Sequence, residues 1–358
     1  MYRSFTIKNF RCFRDFTLDS LERVNLIAGQ NNVGKTALLE ALFLHLGPNN
    51  PDLSVRINVW RGFQRFGPSA EDVWNTLFFD LNTSNTIELA SVDEEMGKAV
   101  LLVSLAEPET TELITPDSGN GGLKASISTV PDIRQLKLEY HDAHNQTTTS
   151  WATATAEGTI QGKLARMPHL IPGVFISTAY RSPQEDAERF SEFARFKRQG
   201  ELVETLRILE PRLQHLEIQS VGGVPFIWGD IGLSQLLPLP MTGQGMVRLL
   251  STLAAINSVK GGIVLIDEVE NGLHYSVMTK VWTAIAQAAR DADVQIFATT
   301  HSWECITAAH EAFHEEFKRS GLYDFRLHRL DRVDDEIRAV TLDQEMLDTA
   351  IKAGLEVR

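Results

Sequence analysis

The rhythm of apolar and polar positions changes three times along the chain. Near the start, "SFTIKNF" alternates with a period of two and predicts a half-buried strand, and "FTLDSL" predicts a second. "RVNLIAG" is instead a short continuous apolar run that reaches a glycine, as expected of a strand buried on both faces. "KTALLEALFLHL" then supplies helix formers and stops at "GPNNP", where Gly47 and Pro48 break it. Residues 1–47 therefore read as strands, loop and helix.

From residue 48 to about 170 the texture is different. "TIELASV", "AVLLVSLA", "QLKLEYHD" and "TTTSWATATAEGTI" are short and β-leaning, and turn-rich pieces such as "TPDSGNGG" separate them. This predicts an antiparallel, β-rich lobe inserted after the first helix. Residues 171–235 form a charged helical and β segment. In it "VFISTAY" is a buried-strand candidate and "EDAERFSEFARFKRQGELVETLRILEPRL" is helical, too short for a long coiled-coil arm. From residue 236 the pattern returns to α/β. "LLPLPMTGQGMVRLLSTLAAI" runs from turn to amphipathic helix, "GGIVLIDE" is a buried strand, "YSVMTKVWTAIAQAARDA" a helix and "VQIFATT" another buried strand. Fully apolar strands in strand–helix–strand order predict a parallel sheet covered on both faces.

Composition narrows this picture. The 358 residues can bury a full core, as one large domain or two smaller ones, and 43% apolar with 23% charged content is ordinary for a globular protein. A formal net charge of -13 disfavours a broad basic face for nucleic acid, while leaving room for a local groove. Only Cys12 and Cys305 are present, which excludes a disulfide framework or a cysteine zinc cluster and fits a reducing, cytoplasmic setting. The N-terminus has no apolar core of signal-peptide length, and the most apolar stretch, near 249–269, is interrupted by Lys260, Gly261, Gly262 and Asp267. Nothing in the sequence is expected to span a membrane.

Four motifs carry candidate chemistry. "GQNNVGKT", residues 29–36, fits G-x-x-x-x-G-K-[ST] between a strand and a helix. Gly29 and Gly34 let the backbone wrap a phosphate, Lys35 brings charge to the β- and γ-phosphates, and the Thr36 hydroxyl suits magnesium. In "IVLIDEVENGLH" a hydrophobic strand ends in Asp267, which can reach a magnesium shell, and Glu268 follows as a candidate general base. Alternatively the strand simply ends in solvated acids. "FATTHS" puts His301 at the carboxyl edge of the same sheet, able to bond the γ-phosphate and attacking water, or present as polar surface. "MTGQGMVRLL" offers closely spaced glycines at a helix start, a second backbone anion site or an ordinary turn and cap.

The order "GQNNVGKT", "MTGQG", "LIDEVENGLH", "TTHS", with the opening "FTIKNFRCF", resembles ABC-type ATPases of the soluble, non-transporter branch. That branch includes RecF, the structural-maintenance-of-chromosomes (SMC) proteins and the ATPase half of OLD-family proteins. The likeness is nearest to bacterial AAA/OLD-type ATP-binding proteins. It is specific over residues 1–47 and 236–305 and loose in the β-rich middle. It implies one P-loop NTPase (an ABC ATPase head) over 1–358, α/β, with a mostly parallel sheet plus the antiparallel β-rich lobe. By resemblance, Gly29, Asn32, Gly34, Lys35 and Thr36 form the Walker A loop, with Thr36 and Asp267 on Mg²⁺. Glu268 is then the catalytic carboxylate and His301 the switch histidine, and Asn271 and Gly272 lie in the D-loop. Gly243, Gln244 and Gly245 fall in the signature motif that caps the γ-phosphate of the opposite subunit. Arg11 is either a basic residue approaching the nucleotide or a solvated strand charge. Two departures stand out: Met241 or Thr242, depending on alignment, replaces the signature serine, and the Q-loop glutamine falls at Gln64 or Gln184.

These implications lead to an ATPase that forms a homodimer around ATP and drives a partner, either DNA or an effector protein such as a nuclease or toxin in trans. DNA repair and antiphage defence both fit. The alternative is an ATP-dependent assembly or regulatory switch with negligible hydrolysis. No N-K-x-D sequence is present to read guanine. Residues 302–358 are too few for a TOPRIM nuclease domain.

Overall fold

A computed structural model describes residues 1–63, 69–107, 134–154, 160–163, 165–167, 170–180 and 182–357. The chain starts with β1 (Tyr2–Phe10), β2 (Phe13–Leu18), β3 (Val24–Gly29) and α1 (Lys35–Leu46). Then come α2 (Asp52–Trp60), α3 (Ala70–Trp74), β4 (Ile87–Asp93), β5 (Gly97–Ala106), β6 (Gln135–His141), β7 (Thr147–Ala154), β8 (Ile160–Lys163) and β9 (Gly173–Ile176). The helical segment is α4 (Pro183–Arg195) and α5 (Gln199–Leu206), followed by β10 (His215–Val221), β11 (Val224–Asp230) and β12 (Leu237–Pro238). The last part holds α6 (Gln244–Ser258), β13 (Ile263–Ile266), α7 (Met278–Asp291), β14 (Gln295–Thr299), α8 (Trp303–Ser320), β15 (Phe325–Val333), β16 (Glu336–Leu342) and α9 (Gln344–Lys352).

A six-stranded sheet in the order β16-β15-β3-β14-β13-β9 is the frame of the molecule. All its neighbours pair in parallel except the edge strand β16. Period-two geometry splits each strand between two cores. On β13, Ile263 and Leu265 join the cluster around α1, while Val264 and Ile266 join the cluster formed with α6, α7 and α8. The expected parallel sheet, covered on both faces, is therefore present.

The expected antiparallel, β-rich part is present, and its sheet also takes in the N-terminal strands. β4 pairs with β1, so one sheet runs β2-β1-β4-β5-β6-β7-β8 and links the N-terminus to the middle of the chain. Helix α1 lies between this sheet and the parallel one, which is why every residue of it except Thr36 is buried. Two helices, α2 and α3, occupy part of the region expected to be β-rich. Their packing on α1 and on each other, through Leu53, Ile57, Val73 and Trp74, overrides a weak local pattern. The expected turn "TPDSGNGG" lies outside the described residues. Helix α6 is buried throughout Gly245–Ile256 instead of on one face, because α4, α5, α7 and β13 surround it.

Candidate nucleotide site

Four strand ends meet at the carboxyl edge of the parallel sheet, where open α/β sheets place ligands. Between β3 and α1, the 29–34 loop is fixed by close approach. A side chain at Gly29 (φ 149°) would meet the Leu330 carbonyl oxygen at 2.7 Å, and one at Gly34 (φ 102°) would meet Cys12 Sγ at 2.8 Å. Asn32 adopts a left-handed φ of 64°. Lys35, at the first position of α1, is buried, and its Nζ donates to the carbonyls of Gly29 (2.7 Å) and Gln30 (2.9 Å). Burial lowers its pKa, opposed by the charges of Glu268, Asp267 and Glu270.

Asp267 follows β13 and is buried among hydroxyls. Its Oδ1 accepts from Thr36 (3.0 Å) and Thr299 (2.8 Å), and its Oδ2 accepts from Thr178 (3.1 Å) just after β9. Thus two motifs far apart in sequence share one hydrogen bond. The hard oxygens of Thr36 and Asp267, adjoining a phosphate-sized loop, fit a magnesium ion, which takes one or two protein oxygens and fills its remaining positions from phosphate and water.

Glu268 has a left-handed φ of 50°, and its amide donates to Thr299 Oγ1 at 2.8 Å. Its side chain is 40% exposed and that of His301 is 51% exposed, so both are reachable from solvent. His301 Nδ1 lies 3.9 Å from Glu268 Oε1 and 3.3 Å from Glu270 Oε1. Glu270 also accepts from the His301 amide (3.0 Å) and the Thr300 hydroxyl (2.8 Å), fixing the turn after β14. Glu270 belongs to the same "IVLIDEVENGLH" stretch, where no spacing singles it out.

The second glycine site sits against the same strand end. A Cβ on Gly245 would meet the Gly272 carbonyl oxygen at 2.5 Å, so the start of α6 and the 271–272 turn are in contact. Gly243 (φ 125°) has nothing within 4 Å of a would-be Cβ, Gln244 begins the helix, and Met241 is 75% exposed. The Thr242 hydroxyl is turned inward to the Leu239 carbonyl at 2.7 Å. From α6, the buried Arg248 guanidinium donates to the carbonyls of Asp267 and Glu268 (3.2 Å to the latter) and lies 3.5 Å from that of Ser177.

Arg11 does not extend into solvent. Its Nε is 2.6 Å from Glu40 Oε2, and its other nitrogens donate to Asn58 Oδ1 and the Thr76 carbonyl. Burial lowers its pKa, with Glu40 opposing. Gln64 lies outside the described residues. Gln184 is on α4, where it donates to Glu188. The polar side chain that does reach Asp267 from the end of β9 is Thr178, whose signal in "VFISTAY" is only a hydroxyl after a buried strand.

A family model described as "AAA domain, putative AbiEii toxin, Type IV TA system" matches residues 24–304. The chain belongs to this family. An ATP/GTP phosphatase of Helicobacter pylori is 22% identical over 338 residues, covering 88% of this chain and 89% of that protein. Structural maintenance of chromosomes protein 6 of Dictyostelium discoideum is 34% identical over 103 residues, 28% of this chain and 8% of that one. The Smc head domain with an extended coiled coil, bound to the C-terminal domain of ScpA and derived from Pyrococcus furiosus, covers 98% of both chains. Its TM-score is 0.51 at 12% identity, a likeness of fold. Family and fold together make this chain an ABC- and SMC-like P-loop ATPase. Among the described residues, no helix is long and apolar enough to cross a membrane.

Proposed function

We propose that the chain binds ATP with magnesium at the 29–36 loop, hydrolyses it, and closes into a head-to-tail homodimer whose cycle drives a DNA or effector-protein partner. The observation that carries this reading is the Thr36–Asp267 hydrogen bond beside the buried Lys35. It brings the loop that suits phosphates and the strand end that suits magnesium to one point. Magnesium, when bound, supplies charge neutralisation and fixes the orientation of phosphate oxygens. The chain does the rest. Lys35 exchanges its two carbonyl acceptors for phosphate oxygens, and Asp267 keeps its place through Thr178 and Thr299. Glu268, partly exposed next to Asp267, is the base that takes a proton from water, and Glu270 holds His301 alongside it.

Dimerisation is supported by the signature turn. Gly243 is open to space, Met241 is exposed, and the α6 start touches the 271–272 turn that follows the catalytic acids. A second reading, a switch with negligible hydrolysis, is favoured by the inward-turned Thr242 hydroxyl, which offers no oxygen donor in place of the signature serine. Single-turnover hydrolysis of ATP, with and without DNA, separates the two. Phosphate release within a single binding event supports the ATPase, and its absence with intact ATP binding supports the switch.

A further inference from the structure

One carboxylate ties the turn after β14 to the turn after β13. Glu270, its side chain 12% exposed, takes three contacts on a single oxygen. The Thr300 hydroxyl donates to Oε1 at 2.8 Å, the His301 amide donates at 3.0 Å, and His301 Nδ1 lies 3.3 Å away. The other oxygen is buried with no hydrogen-bond partner among the described residues. The anchor continues into α8, since the Thr300 hydroxyl accepts from the amide of Ser302, the cap of that helix, at 3.1 Å. Glu268 Oε1 stands 3.9 Å from the same ring nitrogen of His301. Nδ1 is thus flanked by two carboxylate oxygens, on a ring that is half exposed. An ionised carboxylate has no proton to give, so a nitrogen between two of them is placed to carry hydrogen. A lone pair on Nδ1 would instead face negative oxygens at 3.3 and 3.9 Å. The bond made by one ring nitrogen of a histidine decides what the other can do. With hydrogen on Nδ1, a neutral ring carries its lone pair on Nε2.

We propose that Glu270 is a positioning residue that fixes His301 in the Nδ1–H form, so that Nε2 accepts a hydrogen bond from the attacking water rather than donating one to the terminal phosphate. This rests on the reading of the site as an ATPase. One proton of the water passes to Glu268 as its oxygen bonds to the γ-phosphorus, and the bond from that phosphorus to the oxygen of the departing ADP breaks. The second proton stays on the water oxygen, which becomes part of the released phosphate, with Nε2 as its acceptor. An acceptor for each proton leaves the oxygen lone pair aimed at phosphorus. Catalytic hydrogen bonds are often long before substrate arrives, and the 3.3 Å contact of Nδ1 with Glu270 is of that kind.

Nitrogen NMR of the full chain with labelled histidine, in mildly alkaline buffer, reads the form of the ring directly, and His301→Ala identifies its signals. The unaltered chain is expected to show hydrogen on Nδ1 and none on Nε2. Glu270→Gln keeps an oxygen that the His301 amide and Thr300 hydroxyl hold in place, and is expected to keep that form and nearly all of kcat. Glu270→Leu removes the acceptor. Its ring is expected to move to the Nε2–H form, and its kcat to fall about tenfold or more, toward that of His301→Ala, with KM for ATP little changed. In the His301→Ala background, Glu270→Leu is expected to cost nothing further, since it acts through that ring. Hydrogen on Nε2 of the unaltered chain, alone or together with Nδ1, overturns the proposal even if the leucine variant does not fold. Losses from Glu270→Leu that add to those of His301→Ala overturn it too, because Glu270 then serves only the turn. Hydrolysis that survives Lys35→Ala, or none in the unaltered chain, removes the ATPase reading and with it the role of Nε2, whichever form the ring takes.

Discussion

Two helix starts in this molecule offer backbone amides to an anion, and they are finished to different degrees. The start of α1 is enclosed: Gly29 and Gly34 are pressed against Leu330 and Cys12, and Lys35 is buried with its ammonium on two loop carbonyls. The start of α6 is open. Gly243 meets nothing, Met241 projects outward, and only Gly245 is pressed, against Gly272. One site is complete within the chain, while the other is anchored at its base and unfinished at its tip. That difference suits the composite site proposed between two copies: one half enclosed enough to take phosphates alone, the other open to a surface.

Lys35→Ala should have the largest effect, with ATP binding lost in a calorimetric titration, because its buried ammonium is the charge held within the loop proposed to wrap the phosphates. Gly243→Asp comes next. A side chain there enters open space but takes on a glycine-only backbone conformation at a cost of about 1–3 kcal/mol, which Gly243→Ala shares; both monomers should bind ATP, and only the carboxylate, placed against the partner's γ-phosphate, should block dimerisation and steady-state hydrolysis. ATP-dependent dimerisation of Gly243→Asp would mean the tip of α6 faces no phosphate. Gly245→Ala probes the anchored base instead. Its methyl group has 2.5 Å to the Gly272 carbonyl, so a loss of about 1–3 kcal/mol in denaturant unfolding is expected, the usual range for overpacking. The smallest effect belongs to Thr178→Val, which removes one of three hydroxyls on Asp267. A rise of about tenfold or less in the magnesium needed for half-maximal turnover is expected, on the scale of one hydrogen bond to a charged group.

The sequence and the fold agree best where structure is local and apolar. The run "RVNLIAG" into "KTALLEALFLHL" matches β3 and α1, with α1 running Lys35–Leu46 as its pattern suggested, and "GGIVLIDE" and "VQIFATT" match β13 and β14. What stayed hidden depends on distant partners. The pairing of β1 with β4 joins residues about 80 positions apart, and no period along the chain announces it. The charged hairpin of β15 and β16 extends the parallel sheet beyond β3, yet "FRLHRLDRV" has too little apolar rhythm to predict a strand beside Walker-type residues. The ion pair of Glu40 with Arg61, in the turn after α2, is hidden for the same reason. A glutamate in a helix and an arginine in a turn read as surface charges until α1 is placed between two sheets. Thr178, Thr299 and Glu270 were in view as letters, but their roles need the strand ends to be brought side by side.

In the proposed dimer, the open start of α6 is completed by the nucleotide held in a second copy. Glu268→Gln tests it most directly, because it preserves the shape of the site and removes the base, so ATP stays bound. Light scattering of this variant with magnesium and ATP should give the mass of two chains, falling back to one when ATP is replaced by ADP. A trapped variant fully loaded with ATP and still monomeric would rule out the composite site, and would leave a nucleotide switch that works as a single chain.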